Sequence, residues 1–361
     1  MMKISREWLM KWMPSLAVLV ALCPAVWAAP LYEADFLFEA NERYPESHGS
    51  TITMLPSGDL LAAWYAGARE KASDVAILGI RRSPKDRQWS TPFLLTDDPI
   101  RSDGNPVLFV DRDQTVWLFY NVMYGSGEGR TRQGTGWTSC KIHYRTSSDD
   151  GRTWSFPRTL TEEWGYLTRS KPIQLENGDI LLPAHDERDW SSLFLIAEEG
   201  KPVWTTGQRI DCGGGFHWGN IEPTVIQRTD KSLLCFMRAG GPETRRIWQS
   251  ESFDQGRTWT RPVTVSLPNP DAAVDLLRLK TGDVVLAFNN STVERCPLTL
   301  ALSKDDGKTW LNFRDLETEG GAYSYPSLTE AQDGAIHVTY TYQRKTIKHV
   351  RLNEDWILQE K

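Results

Sequence analysis

S-S-D-D-G-R-T-W, residues 147–154, recurs as S-F-D-Q-G-R-T-W at 252–259 and as S-K-D-D-G-K-T-W at 303–310. In each copy the first aspartate can accept hydrogen bonds from the backbone amides that follow it. The glycine tolerates the positive φ of a tight turn, and threonine and tryptophan lead into a strand. The phrase predicts a hairpin, not a catalytic loop. A calcium-binding reading of D-D-G fails because the twelve-residue ligand pattern is missing.

Working outward, degenerate copies close at Trp89 (R-R-S-P-K-D-R-Q-W), Trp204 (A-E-E-G-K-P-V-W) and Trp356 (L-N-E-D-W). Successive closing tryptophans stand 65, 50, 55, 51 and 46 residues apart. A second marker has the same period: a turn signal followed by a β-rich run, at 57–62, 113–118, 177–182, 230–235, 281–286 and 333–338. Six such repeats predict an all-β fold, a six-bladed β-propeller of four-stranded antiparallel blades. A strand expected at Leu31 to Glu39 precedes the first full unit and can supply the outer strand of the last blade. No helical period or linker interrupts the repeats, so residues 29–361 read as one domain.

The chain has 361 residues, 40% of them hydrophobic and 24% charged, with a formal net charge of −6. No run of like charges suits nucleic acid, so an anionic ligand would need a few locally placed cations. Lys3, Arg6 and Lys11 precede an apolar run, Leu16 to Cys23, and then Val26-Trp27-Ala28. That pattern predicts a secretory signal over residues 1–28, cut after Ala28, and a secreted or periplasmic protein with no membrane attachment after cleavage. Four cysteines then remain, Cys140, Cys212, Cys235 and Cys296; they permit two disulfides in three pairings, or free thiols. No Cys/His spacing suggests a metal site, and no cofactor is expected.

In a propeller, loops entering the innermost strands converge around the axis on one face. Residues just ahead of the six expected inner strands are His48, Asn105, Lys171, Glu222, Asp271 or Asp275, and Tyr323 or Tyr325. The companion loops carry Arg69, Glu70, Asp74, Arg238, Arg295 and Arg344. Such a ring of acids, bases and cations is what an anionic sugar site needs. Trp117, Trp137, Trp190 and Trp218 are candidates for stacking on sugar rings, with core packing as the alternative for each. His185 and His217 read as structural.

These motifs together resemble the sialidase (neuraminidase) superfamily, in particular its bacterial Asp-box members, over essentially the whole length after residue 28. D-V-A-I-L-G-I-R-R-S is similar to the segment carrying the acid/base aspartate, matching Asp74. N-I-E-P-T-V-I, followed sixteen residues after its glutamate by Arg238, resembles the glutamate and second carboxylate-binding arginine. E-R-C-P-L-T-L-A-L-S matches the third arginine with Arg295, and the Tyr-Ser pair of G-A-Y-S-Y-P-S-L matches the nucleophile with Tyr323. The resemblance implies an exo-α-sialidase acting by a retaining mechanism with a tyrosine nucleophile. It implies Tyr323 as nucleophile, Glu222 as its base, Asp74 as proton donor, and Arg238 and Arg295 as carboxylate-binding; His48, Arg69, Asn105 and Lys171 are expected to bind substrate from their places on the inner-strand and companion loops. The partner implied is a glycan ending in an acidic sugar.

One position departs from the pattern. Where such proteins carry Arg-Ile-Pro, this chain reads His48-Gly49-Ser50. Histidine cannot make a bidentate fork onto a carboxylate. Either two arginines suffice, with Arg69 or Arg43 helping, or the substrate is another terminal sugar, rhamnose or one linked to a uronic acid, and His48 takes part in the reaction. A non-catalytic glycan-binding propeller is the third reading. Each residue also has a structural alternative: Tyr323 as a packed core tyrosine, Asp74 as a turn cap, the arginines as ion pairs.

Overall fold

A computed structural model describes residues 29–86, 88–125, 136–201, 203–241 and 243–359. The signal segment expected over residues 1–28 lies outside the described residues. The three box sequences form one shared hydrogen-bond set. Gly151, Gly256 and Gly307 each donate their amide to the serine hydroxyl four residues earlier, at 2.9 Å in all three. Thr153, Thr258 and Thr309 each donate their amide to the box aspartate at 2.8 Å and their hydroxyl to its second oxygen. The two residues at each turn tip are left-handed, as in Asp306 (φ 60) and Gly307 (φ 80). At Gly307 a Cβ would stand 2.5 Å from Leu234, so glycine is required on two counts.

Each box tryptophan packs against the preceding blade. Trp259 stacks on Phe194 with centroids 4.6 Å apart, and Trp310 lies 5.7 Å from Phe236. Trp356 is different from the expected sixth copy. It sits on a short helix, Glu354–Leu358, capped by Asn353 and stacked on Tyr32 at 4.7 Å.

The strands form six antiparallel sheets; five have their four main strands in sequence order, and the sixth takes its outer strand from the N-terminal end of the described chain. Blade 1 runs from Glu46 to Thr96, blade 2 from Ser102 to Thr159, and blade 3 from Tyr166 to Thr206. Blade 4 runs from Asn220 to Pro268, blade 5 from Asp275 to Glu317, and blade 6 from Tyr323 to Leu352. Tyr32–Phe36 pairs antiparallel with Thr346–Leu352 and closes the ring. The fold is a six-bladed β-propeller. Buried apolar clusters lie between consecutive blades: Leu61, Ile77, Leu108 and Leu118 join blades 1 and 2, and Val285, Leu300, Val338 and Tyr340 join blades 5 and 6. No blade buries its faces alone, which is why the repeat must close. The four cysteines among the described residues are free, with Cys140 and Cys235 buried.

The feature that positions a site is a bulge near the start of the inner strands. Register shifts fall between His48 and Thr51, Gly104 and Val107, Ile221 and Thr224, and Ser324 and Ser327. Blade 3 is interrupted more widely, between Tyr166–Thr168 and Ile173–Gln174. A bulge turns a side chain out of the alternating pattern. Here it turns side chains toward the axis.

Candidate active site

Hairpin turns at the far end of the inner strands have left-handed residues at Gly58, Gln114, Gly178, Lys231 and Gly334. Nine residues upstream of these stand Gly49, Asn105, Arg169, Glu222 and Tyr325. Four of those five are themselves left-handed: Gly49 (φ 60), Asn105 (φ 45), Glu222 (φ 52) and Tyr325 (φ 55). Holding a non-glycine residue there costs roughly 1–3 kcal/mol, a cost that surrounding packing must offset. Proline follows Asn105, Glu222 and Tyr325, and its missing N–H suits a point where the ladder is broken. In blade 1 the position must be glycine, since a Cβ on Gly49 would lie 2.6 Å from the Tyr65 ring; His48 reaches the axis instead.

These side chains meet. Arg238 Nη1 donates to Glu222 Oε1 at 3.0 Å and to the Tyr325 hydroxyl at 3.3 Å, while its Nε donates to Asp271 Oδ1 at 2.7 Å. The Arg169 guanidinium lies 4.8 Å from the Tyr325 ring centroid and that of Arg295 5.7 Å. His48 meets the same ring edge-on at 4.6 Å. Its Nδ1 is 3.0 Å from Thr341 Oγ1, and its Nε2 is enclosed without a partner. Glu222 Oε2 is likewise enclosed and unpartnered. Glu70 accepts from the Trp137 indole at 3.1 Å and pairs with Arg344 at 2.7 Å.

Burial, then the charges of Arg344, Arg295, Arg169 and Arg238, push His48 well below the ordinary histidine value, so it is neutral at physiological pH. Burial and then the Glu222 carboxylate raise the Tyr325 phenol, while Arg238 and Arg295 lower it. The phenol is therefore protonated at rest, with Arg238 Nη1 bridging its oxygen and the Glu222 carboxylate.

Of the residues expected from the sequence, His48, Asn105, Glu222, Arg238 and Arg295 are brought to this cluster. Four are not. Tyr323 is fully buried and packs in the core between blades 5 and 6, with its hydroxyl donating to the Glu319 carbonyl at 2.9 Å. The bulge after Ser324 re-aims Tyr325, and that residue takes the axial place. Lys171 commits its ammonium to the Ile52 and Leu328 carbonyls, the Ser327 hydroxyl and Asp275. It pins blades 1, 5 and 6 together nearer the opposite face, where it lines a different cleft. Arg69 is exposed on the 67–75 loop, and its carbonyl closes a turn with Ala72. Asp74 stands exposed on that loop, accepting from the Ala68 amide at 3.1 Å.

Arg169 escaped the sequence reading, although its spacing from Gly178 equals that of Glu222 from Lys231. The Trp117 ring stacks on Phe119 in the core, whereas Trp190, Trp218, His217 and Asp271 line a cleft of about 560 Å³ beside Arg238. There the indole of Trp218 is half exposed.

The family model described as BNR repeat-like domain matches residues 58–338. The chain belongs to that family. Among relatives of this BNR-repeat protein, a sialidase from Micromonospora viridifaciens is 26% identical over 367 residues, covering 91% of this chain and 55% of its own. The chain thus spans about half the length of that relative. The intramolecular trans-sialidase from Ruminococcus gnavus shares the fold at a TM-score of 0.74 and 16% identity, covering 90% of this chain and 98% of its own. An α-L-arabinanase from Penicillium chrysogenum reaches a TM-score of 0.62, also at 16% identity, with 90% and 98% covered. At 16% identity both likenesses show the fold alone.

Proposed function

We propose that the protein is an exo-acting glycoside hydrolase that removes a terminal acidic sugar, sialic acid first, from glycans with retention of configuration. The observation that carries this reading is the shared contact of Arg238 Nη1 with the Tyr325 hydroxyl and the Glu222 carboxylate. A phenol beside a buried carboxylate, ringed by guanidinium groups, suits attack on an anomeric centre that itself bears a carboxylate. An anionic nucleophile would be repelled there, and a neutral phenol is not. The 26% identity to a sialidase over most of the chain supports the same substrate class.

In the first half-reaction the Tyr325 oxygen attacks the anomeric carbon as its proton passes to Glu222. The glycosidic bond breaks toward the leaving oxygen, which takes a proton from Asp74. In the second half, water gives a proton to the Asp74 carboxylate and attacks the anomeric carbon; the bond to Tyr325 breaks, and its oxygen recovers the proton from Glu222. Asp74 is assigned the donor role because it is exposed and has no cation partner among the described residues, whereas Glu70 is committed to Arg344 and Trp137. An acid/base role for His48 has less support, since its Nε2 is enclosed. Residues 1–28 are proposed to direct export.

The test is hydrolysis of an aryl α-sialoside and an aryl α-rhamnoside by wild type and Tyr325→Phe. Release from the sialoside, lost in the variant, is expected. Release only from the rhamnoside rejects the substrate, and full activity of Tyr325→Phe rejects the nucleophile.

A further inference from the structure

The guanidinium groups around Tyr325 are not equivalent. Arg238 already faces two carboxylates, Glu222 at 3.0 Å and Asp271 at 2.7 Å, and Arg344 is paired with Glu70. Arg169 and Arg295 have no carboxylate within ion-pair distance among the described residues. Among the described residues each is hydrogen-bonded only to a backbone carbonyl, Arg169 Nη2 to Pro326 at 3.1 Å and Arg295 Nη2 to Asp271 at 2.8 Å. Arg169 is 4% exposed, and its Nε is enclosed without any partner. Its Nη1 also bonds to no protein group among the described residues and, unlike Nε, is not among the enclosed atoms. A buried cation with unmet donors is costly unless an anion completes it.

We infer that Arg169, delivered by the interrupted inner strand of blade 3, supplies the guanidinium that position 48 lacks, and that Arg169 and Arg295 together receive the carboxylate of the substrate. This rests on the functional reading above and sharpens it. The site is matched to a sugar with one carboxylate on the reacting carbon, because two uncompensated cations flank the one nucleophile. Arg238 becomes chiefly a positioning residue that holds Tyr325 and Glu222 in register. Planar guanidinium donors suit a carboxylate in a way an ammonium does not.

The experiment compares inhibition by 2,3-dehydro-2-deoxy-N-acetylneuraminic acid with that by its methyl ester, which lacks the negative charge. Wild type is expected to prefer the acid by roughly 100-fold or more, and Arg169→Met to reduce that preference to under about 10-fold, the scale of a lost charge-assisted contact. Arg169→Lys, which retains charge but not the fork, is expected to fall between, and it keeps the test alive should the methionine variant not fold. Thermal melts identify folded variants. A role for Arg169 confined to holding the Pro326 carbonyl would weaken acid and ester equally, and that result overturns the inference while leaving the sialidase reading intact. Wild type that binds neither compound overturns the reading and the inference with it.

Discussion

Rim and axis of the propeller follow the same repeat by opposite rules. At the rim, blades 2, 4 and 5 use the same atoms at the same distances, serine to glycine at 2.9 Å and threonine to aspartate at 2.8 Å. At the axis the backbone device repeats, a left-handed residue nine positions ahead of the hairpin turn, while its side chain changes from Asn105 to Glu222 to Tyr325. A turn has one hydrogen-bonding problem and one solution, so its residues repeat. A catalytic pocket needs an acid, a base and cations at once, and six identical side chains cannot supply them. Repetition of residues marks structure in this molecule, and repetition of geometry with varied residues marks chemistry.

The sharpest way to break this contrast is at the two tyrosines of blade 6. Tyr325→Phe should lower kcat by about 10³-fold or more on an active sialoside, whereas Tyr323→Phe should stay within roughly 3-fold of wild type. Equal losses in both would erase the distinction between axial and core positions. Glu222→Gln comes next: loss of the base should reduce kcat by about 10²–10³-fold. Replacing one partner of the buried pair with Arg238 should also destabilise the fold by roughly 3–5 kcal/mol, read by chemical denaturation.

At the rim the signature reverses. Asp254→Ala removes the acceptor of the Thr258 amide and hydroxyl, and should lower stability by roughly 1–2 kcal/mol while kcat/KM of the folded protein is unchanged. A kinetic defect larger than the stability defect would mean that the rim reaches the site.

A pH titration sharpens the comparison further. Burial holds His48 and His349 well below the ordinary histidine value and brings His337 to about 3. The unfolded chain binds protons near 6.5 while the folded one does not. Stability is therefore full above that pH and is lost as the pH falls below it, by at most about 1.4 kcal/mol per unit for each histidine. His337→Asn should reduce this acid sensitivity, measured as Tm against pH between 6.5 and 4.5. His337 and His349 bond to each other at 2.9 Å in blade 6, away from the axis, so activity at pH 7 should be unaffected.

Blade number, the hairpin pairing within blades and the box hairpins were legible in the sequence alone, because each depends on residues close together in the chain; the closing strand was legible only through the repeat, since Tyr32–Phe36 pairs with residues 312 to 320 positions away. Asp149 bonds to Thr153, and Trp259 closes the turn it follows. Five of the nine candidate site residues, His48, Asn105, Glu222, Arg238 and Arg295, were picked out as polar residues ahead of inner strands, on companion loops or inside motifs, and the structure brings these five to one cluster. The tertiary structure decided the rest. Tyr323 and Tyr325 are two apart and would share a face of a regular strand; only the bulge sends one to the core and the other to the axis. Lys171 looked like a ligand-binding cation until Asp275, Ser327 and three blades closed around it. Arg169 became visible only where its guanidinium crosses to the ring of Tyr325, 156 positions along the chain. Local hydrogen bonding can be read from neighbours in sequence, whereas the direction a side chain takes at a bulge, and the charges it meets there, exist only once the ring has closed.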